Sequence, residues 1–118
     1  MDAEIDAITN MDGLAVPRTS GFVAELMHDY FNGGITVSEE DQKKLLTKMI
    51  DLEDIHLEPA ALAGTPGPAM LFGSEEGQAY LKKYQLEDKM DQATYIAWAT
   101  GGSMVPKADM DAFYQEGK

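Results

Sequence analysis

The chain has 118 residues, 9 Lys and Arg against 21 Asp and Glu, a formal net charge of −12 and no cysteine. That is one domain's worth of polypeptide, with no disulfide framework, thiolate metal site or thiol nucleophile, and with a charge that repels nucleic-acid phosphates. No run of about 18 apolar residues exists to span a membrane, and the acidic first residues lack the apolar region of a signal peptide, so a cytoplasmic protein is the simplest expectation.

Residues 1–12 are polar and acidic, with Ile5 and Ile8 as the apolar anchors. Asp12-Gly13-Leu14-Ala15-Val16-Pro17 reads as a turn, a short apolar step and a stop. Thr19 or Ser20 then caps a helix whose Phe22, Val23, Leu26, Met27, Tyr30 and Phe31 recur on one face of a 3.6-residue period. Asn32-Gly33-Gly34 ends it. Ile35-Thr36-Val37 is a short β-type run. Ser38 caps a second helix with Glu39, Glu40 and Asp41 in its first turn and Leu45, Leu46, Met49 and Ile50 on its apolar face. Asp51, Glu53 and Asp54 close it.

Leu57-Glu58 precedes Pro59, which opens a further helical turn through Leu62. Gly64-Thr65-Pro66-Gly67-Pro68 reads as a break. Met70 to Tyr84 reads as helix, with Gly73-Ser74 as the place for a split, and residues 85–92 as a connection or one helical turn. Thr94 to Thr100, β-branched and aromatic, is the best strand in the chain and apolar enough to be covered on both faces. Gly101-Gly102-Ser103 stops it, and Pro106 starts a last helix with Met110, Phe113 and Tyr114 on one side.

The order α, β, α, α, β, α is an α/β pattern, helix-rich with few strands. Two short strands make a marginal sheet. Either a strand hides in residues 1–18, or the sheet is completed by another chain or by further sequence. An unflanked apolar strand should also drive self-association. No internal domain boundary is expected in residues 1–118.

Three places have the residue types of a site, each with a plainer reading beside it. Thr100-Gly101-Gly102 puts a hydroxyl and two bare backbone units at a strand's carboxyl end, where α/β proteins bind ligands; an ordinary strand-ending turn would look the same. Asp12-Gly13 sets a carboxylate beside a permissive glycine, or is an Asx turn. Glu58 is an acid between apolar segments, suited to a site, or is a helix cap. His28 and His56 have no partners at ligand spacing, Asp51 to Asp54 lacks the Gly and Glu of a calcium loop, and Ser20 and Ser103 have no evident base. No metal site is expected.

Taken in order, Asp12-Gly13-Leu14-Ala15-Val16, Leu57-Glu58-Pro59-Ala60-Ala61-Leu62-Ala63-Gly64 and Ala99-Thr100-Gly101-Gly102-Ser103-Met104-Val105-Pro106 resemble the closing part of the bacterial D-serine dehydratase family (D-serine ammonia-lyases), fold-type II enzymes that use pyridoxal 5′-phosphate. Thr19 to Val23 and Trp98 to Gly102 point to that family rather than to threonine dehydratases. The resemblance implies the C-terminal portion of a three-layer, tryptophan synthase β-like catalytic domain, acting on D-serine to give pyruvate and ammonia by β-elimination. It implies that Thr100 meets the pyridine nitrogen of the cofactor, that Gly101 and Gly102 let the ring edge approach the backbone, that Asp12 and Gly13 lie beside cofactor and substrate, and that Glu58 lies near the ring. Pro17 and Ser103 stand where the family pattern leads one to expect Gly or another small residue. The Schiff-base lysine, the phosphate-binding loop and the monovalent-cation segment have no counterpart here, so the isolated chain is expected to be inactive. The alternatives are a fragment of another hydroxy-amino-acid dehydratase, threonine dehydratase-like, and a non-catalytic acidic interaction module.

Overall fold

Ser38 opens the longest helix, α2 (Glu39–Glu53). Its hydroxyl accepts from the Asp41 amide at 3.1 Å, and the three acids of the first turn face the helix's positive end. The helix stops at Asp54, which takes the left-handed conformation usually given to Gly or Asn. The computed structural model in which this is seen describes Thr9, residues 11–16 and residues 18–118. Ile5, Ile8, Pro17 and most of the stretch that was to hide a further strand lie outside the described residues.

The core forms on α2. Leu46 and Leu62 are fully buried with Met110, and Leu45, Met49, Ile50, Leu57, Val105, Phe113 and Tyr114 pack around them. Two elements bring these partners in. One is the 3-10 turn Pro59–Leu62, with Pro59 in its first turn as its fixed φ favours. The other is α5 (Lys107–Glu116). Polar contacts fix α5 against α2: the Thr47 hydroxyl donates to the Tyr114 carbonyl at 3.0 Å, and the Tyr114 hydroxyl donates to Asp51 Oδ1 at 2.7 Å. Lys43 meets Glu116 at 2.6 Å, and that hydrogen-bonded carboxylate raises the lysine pKa.

The proline-glycine run does not simply break the chain. Pro66 takes the position before α3 (Gly67–Gly73), and Pro68 sits in its first turn, where a missing N–H costs nothing. The split at Gly73-Ser74 is present. Ser74 ends α3 and caps α4 (Glu75–Lys83), its hydroxyl donating to the Met70 carbonyl at 2.8 Å and accepting from the Gly77 amide at 3.0 Å. A 3-10 turn, Glu87–Gln92, follows. The first helix, α1 (Gly21–Met27), is shorter than its apolar pattern, although the Phe31 amide still donates to the Met27 carbonyl at 2.8 Å. Its apolar side is exposed at Phe22, Leu26, Tyr30 and Phe31.

Both strand expectations need correction. Among the described residues there is no strand: 35–37 and 94–100 have no regular secondary structure and no ladder. A strand exists only through a neighbour, and neither run has one. The alternating α/β order is therefore replaced, within this chain, by a helix-rich arrangement. The Cα radius of gyration is 16.2 Å, against about 13.5 Å for a compact domain of this length. No helix of the described residues is long and apolar enough to cross a membrane.

Candidate functional site

Two loops meet beside the core. The Glu58 amide donates to the Gly101 carbonyl at 3.2 Å. Gly102 has φ +148°, a conformation L side chains rarely adopt, and a Cβ there would lie 2.5 Å from the His56 carbonyl oxygen and 2.7 Å from Leu57 Cα. A Cβ on Gly101 would lie 2.7 Å from Glu58 Oε1. Gly102 thus has a reason within the chain, since the 56–58 backbone occupies the space its side chain would need, whereas at Gly101 the neighbour is the Glu58 carboxylate, the end of a side chain that can turn aside. The turn that follows is closed by the Val105 amide donating to the Gly102 carbonyl at 3.2 Å.

The Asp12 segment arrives from the other side. Residues Asp12–Leu14 form a 3-10 turn, and a Cβ on Gly13 would lie 3.3 Å from Ala60 Cβ. Asp12 Oδ1 accepts from the Gly13 amide at 2.7 Å, so the local turn geometry and the packing on Ala60 coexist. Asp12 and Glu58 line one cleft of about 220 Å³, with Pro59, Ala60, Val105, Pro106, Asp109 and Phe113. Glu58 occupies the cap position of the 59–62 turn but makes no side-chain cap bond.

Asp12, Gly13, Glu58, Gly101 and Gly102, drawn from three distant stretches, are thus brought together. Thr100 is next to Gly101 on the exposed 94–100 segment, and its hydroxyl has no partner among the described residues. Asp109 and Phe113 were not anticipated; the signal was available in the proline at 106, which fixes where the first turns of α5 begin.

The cleft is acidic, with Asp12, Glu58 and Asp109 and no lysine or arginine in its described lining. It offers no amine nucleophile and no partner for a phosphate. Lys43 and Lys44 are held protonated by Glu116 and Glu40, the reverse of what a nucleophilic lysine needs. What the junction does offer is an unpartnered hydroxyl and a carboxylate beside bare backbone. That set fits the uncharged ring side of a heteroaromatic cofactor and not its phosphate. Among the described residues no group of three or more His, Asp and Glu is placed to hold a metal ion.

No family model matches the chain. Individual proteins do. A probable D-serine dehydratase of Bacillus cereus is 47% identical over 116 residues, which is 98% of this chain and 26% of the relative. Proteins of the same name from Geobacillus kaustophilus and Geobacillus stearothermophilus are 46% and 47% identical, with the match covering 26% and 25% of their lengths. The chain spans about a quarter of the length of these relatives. The similarity runs over 98% of this chain's residues. Over that span the chain is similar to proteins named probable D-serine dehydratase.

Proposed function

We propose that the chain forms one wall of the active site of a pyridoxal 5′-phosphate-dependent D-serine ammonia-lyase, as the C-terminal quarter of a fold-type II catalytic domain. The observation that supports this reading is the meeting of Asp12 and Glu58 at one cleft, with Gly101 and Gly102 packed on the 56–58 loop and Gly13 on Ala60, in a chain similar to proteins named probable D-serine dehydratase. When bound, pyridoxal 5′-phosphate supplies the electron sink for β-elimination of water. Thr100 offers its hydroxyl to the pyridine nitrogen. A hydroxyl exchanges a hydrogen bond there without holding a proton in place, as an aspartate would, and so keeps the sink mild. Glu58 stands against Gly101, held by the hydrogen bond from its own backbone N–H to the Gly101 carbonyl, and its carboxylate would join the hydrogen-bond network around the ring. Asp12, which lines the same cleft as Glu58, would lie beside cofactor and substrate. The lysine and the phosphate cradle come from polypeptide outside these 118 residues.

The test is a chimera in which the matching segment of the Bacillus cereus relative is replaced by this chain. It should release pyruvate from D-serine, and Thr100→Val in it should lower the rate tenfold or more. A chimera that folds and binds cofactor but is indifferent to Thr100→Val would overturn the reading. The isolated chain, supplied with cofactor and D-serine, should release no pyruvate above a protein-free control; turnover by it would mean that the missing lysine is not needed.

A further inference from the structure

Lys43, Thr47 and Asp51 follow one another at i, i+4 spacing along α2, and so form a polar stripe beside the apolar stripe of Leu46, Met49 and Ile50. Each of the three meets the last turns of α5. The Lys43 ammonium pairs with the Glu116 carboxylate, the Thr47 hydroxyl donates to the Tyr114 carbonyl, and Asp51 accepts from the Tyr114 hydroxyl. Gly117 completes the contact. A Cβ there would lie 2.1 Å from the Lys43 carbonyl oxygen and 2.4 Å from Thr47 Oγ1, so the end of α5 rests directly on α2.

Tyr114 is the centre of this grip. It is held twice, by its main chain and by the tip of its side chain, at two points one helical turn apart on α2. One bond would leave a pivot. Two fix both the height of α5 along α2 and its rotation about its own axis. Thr47 is buried, so its hydroxyl has a polar group's full reason to keep its partner.

The rotation matters because α5 carries two adjoining faces. Met110 and Tyr114, at i and i+4, serve the core and the grip. Asp109 and Phe113, also at i and i+4, line the cleft with Asp12 and Glu58. Whatever sets the first pair sets the second. On a helix about 10–12 Å across, a rotation of about 20° carries a side-chain tip by about 2 Å. That is enough to reshape a cleft of about 220 Å³.

We propose that Tyr114 is a positioning residue for the cleft: by gripping Thr47 and Asp51 it sets the rotation of α5 and so holds Phe113 in the cleft wall. Its effect on turnover rests on the reading of the cleft as part of the active site; its effect on Phe113 does not. An apolar wall touches a bound substrate alike before and during the reaction. Moving it therefore weakens binding and spares the chemical step.

Tyr114→Phe removes the hydroxyl and keeps the ring. In the isolated chain, the amides of Phe113 and Tyr114 should then exchange at least fivefold faster, and the Phe113 ring signals should shift in NMR spectra while the Leu46 methyl signals stay. Asp51→Leu, which leaves Tyr114 itself intact, should do the same. Asp51→Asn, whose amide oxygen still accepts, should do neither. In the chimera, Tyr114→Phe and Asp51→Leu should each raise KM for D-serine at least threefold with kcat changed less than twofold. The double variant should go no further than either alone, and Asp51→Asn should match the unsubstituted chimera. Phe113 signals and exchange that ignore Tyr114→Phe would overturn the proposal. So would effects that add in the double variant, Asp51→Asn behaving as Asp51→Leu, or an unchanged KM in a chimera that does respond to Thr100→Val. A chimera indifferent to Thr100→Val brings down the catalytic reading instead, and the isolated chain then decides by itself whether Tyr114 holds Phe113.

Discussion

The bundle of α2, α5 and the 59–62 turn and the pair formed by α1 and the 94–104 ribbon have similar apolar content but opposite fates. Leu46, Leu62 and Met110 find one another because α2 is long, well capped and flanked by two elements that return to it. Phe22, Leu26, Ile96 and Trp98 find nothing. α1 has 7 residues, too few to be stable without packing, and the ribbon has no ladder. The difference teaches that apolar pattern alone does not make a core; the complementary surface has to be in the same chain.

The comparison can be broken most directly by truncation on each side of it. Leu62→Ala should cost about 2–5 kcal/mol in urea unfolding, enough to threaten the fold, while Trp98→Ala in the isolated chain should stay within about 0.5 kcal/mol. Equal losses would show that the ribbon is packed in solution. Gly102→Ala is next. It forces a Cβ into the His56–Glu58 backbone at a φ of +148°, and should cost about 1–3 kcal/mol, with faster exchange of the Glu58 amide as the local sign. If stability and that amide are untouched, the two loops are not joined. The smallest effect concerns Lys43. Glu116 raises its pKa above the ordinary 10.5, so the pair's stabilisation is complete below that ordinary value and is lost as pH climbs through the raised native one. Thermal scans from pH 9 upward should show the wild type losing an advantage over Lys43→Met that it holds at pH 9; an unchanging gap would mean the pair contributes nothing.

Local chemistry was readable from the residues wherever it closes within a few positions. Ser38 as cap, Asp54 as the helix end, the break at Ser74 and the helix after Pro106 all follow from side chains acting on their own backbone. The helix opening inside the proline-glycine run was missed because prolines read as breakers are harmless in a first turn. The run at 94–100 was read as a strand from its β-branched and aromatic residues, but pairing needs a neighbour that a run's own composition does not specify, and none is present among the described residues. At the site, the grouping of Asp12, Glu58 and Gly101 was legible only through the family pattern. The specific demand for glycine at 102 was not, since it comes from the carbonyl of His56, a neighbour 46 positions away in sequence.

The unspent surface of the ribbon and α1 also sets the thermodynamic character of the free chain. Heat capacity and denaturant dependence of unfolding both scale with the area newly exposed, and much of that area is exposed before unfolding begins. The isolated chain should therefore melt over a broad range with a shallow denaturant slope and a flat stability curve.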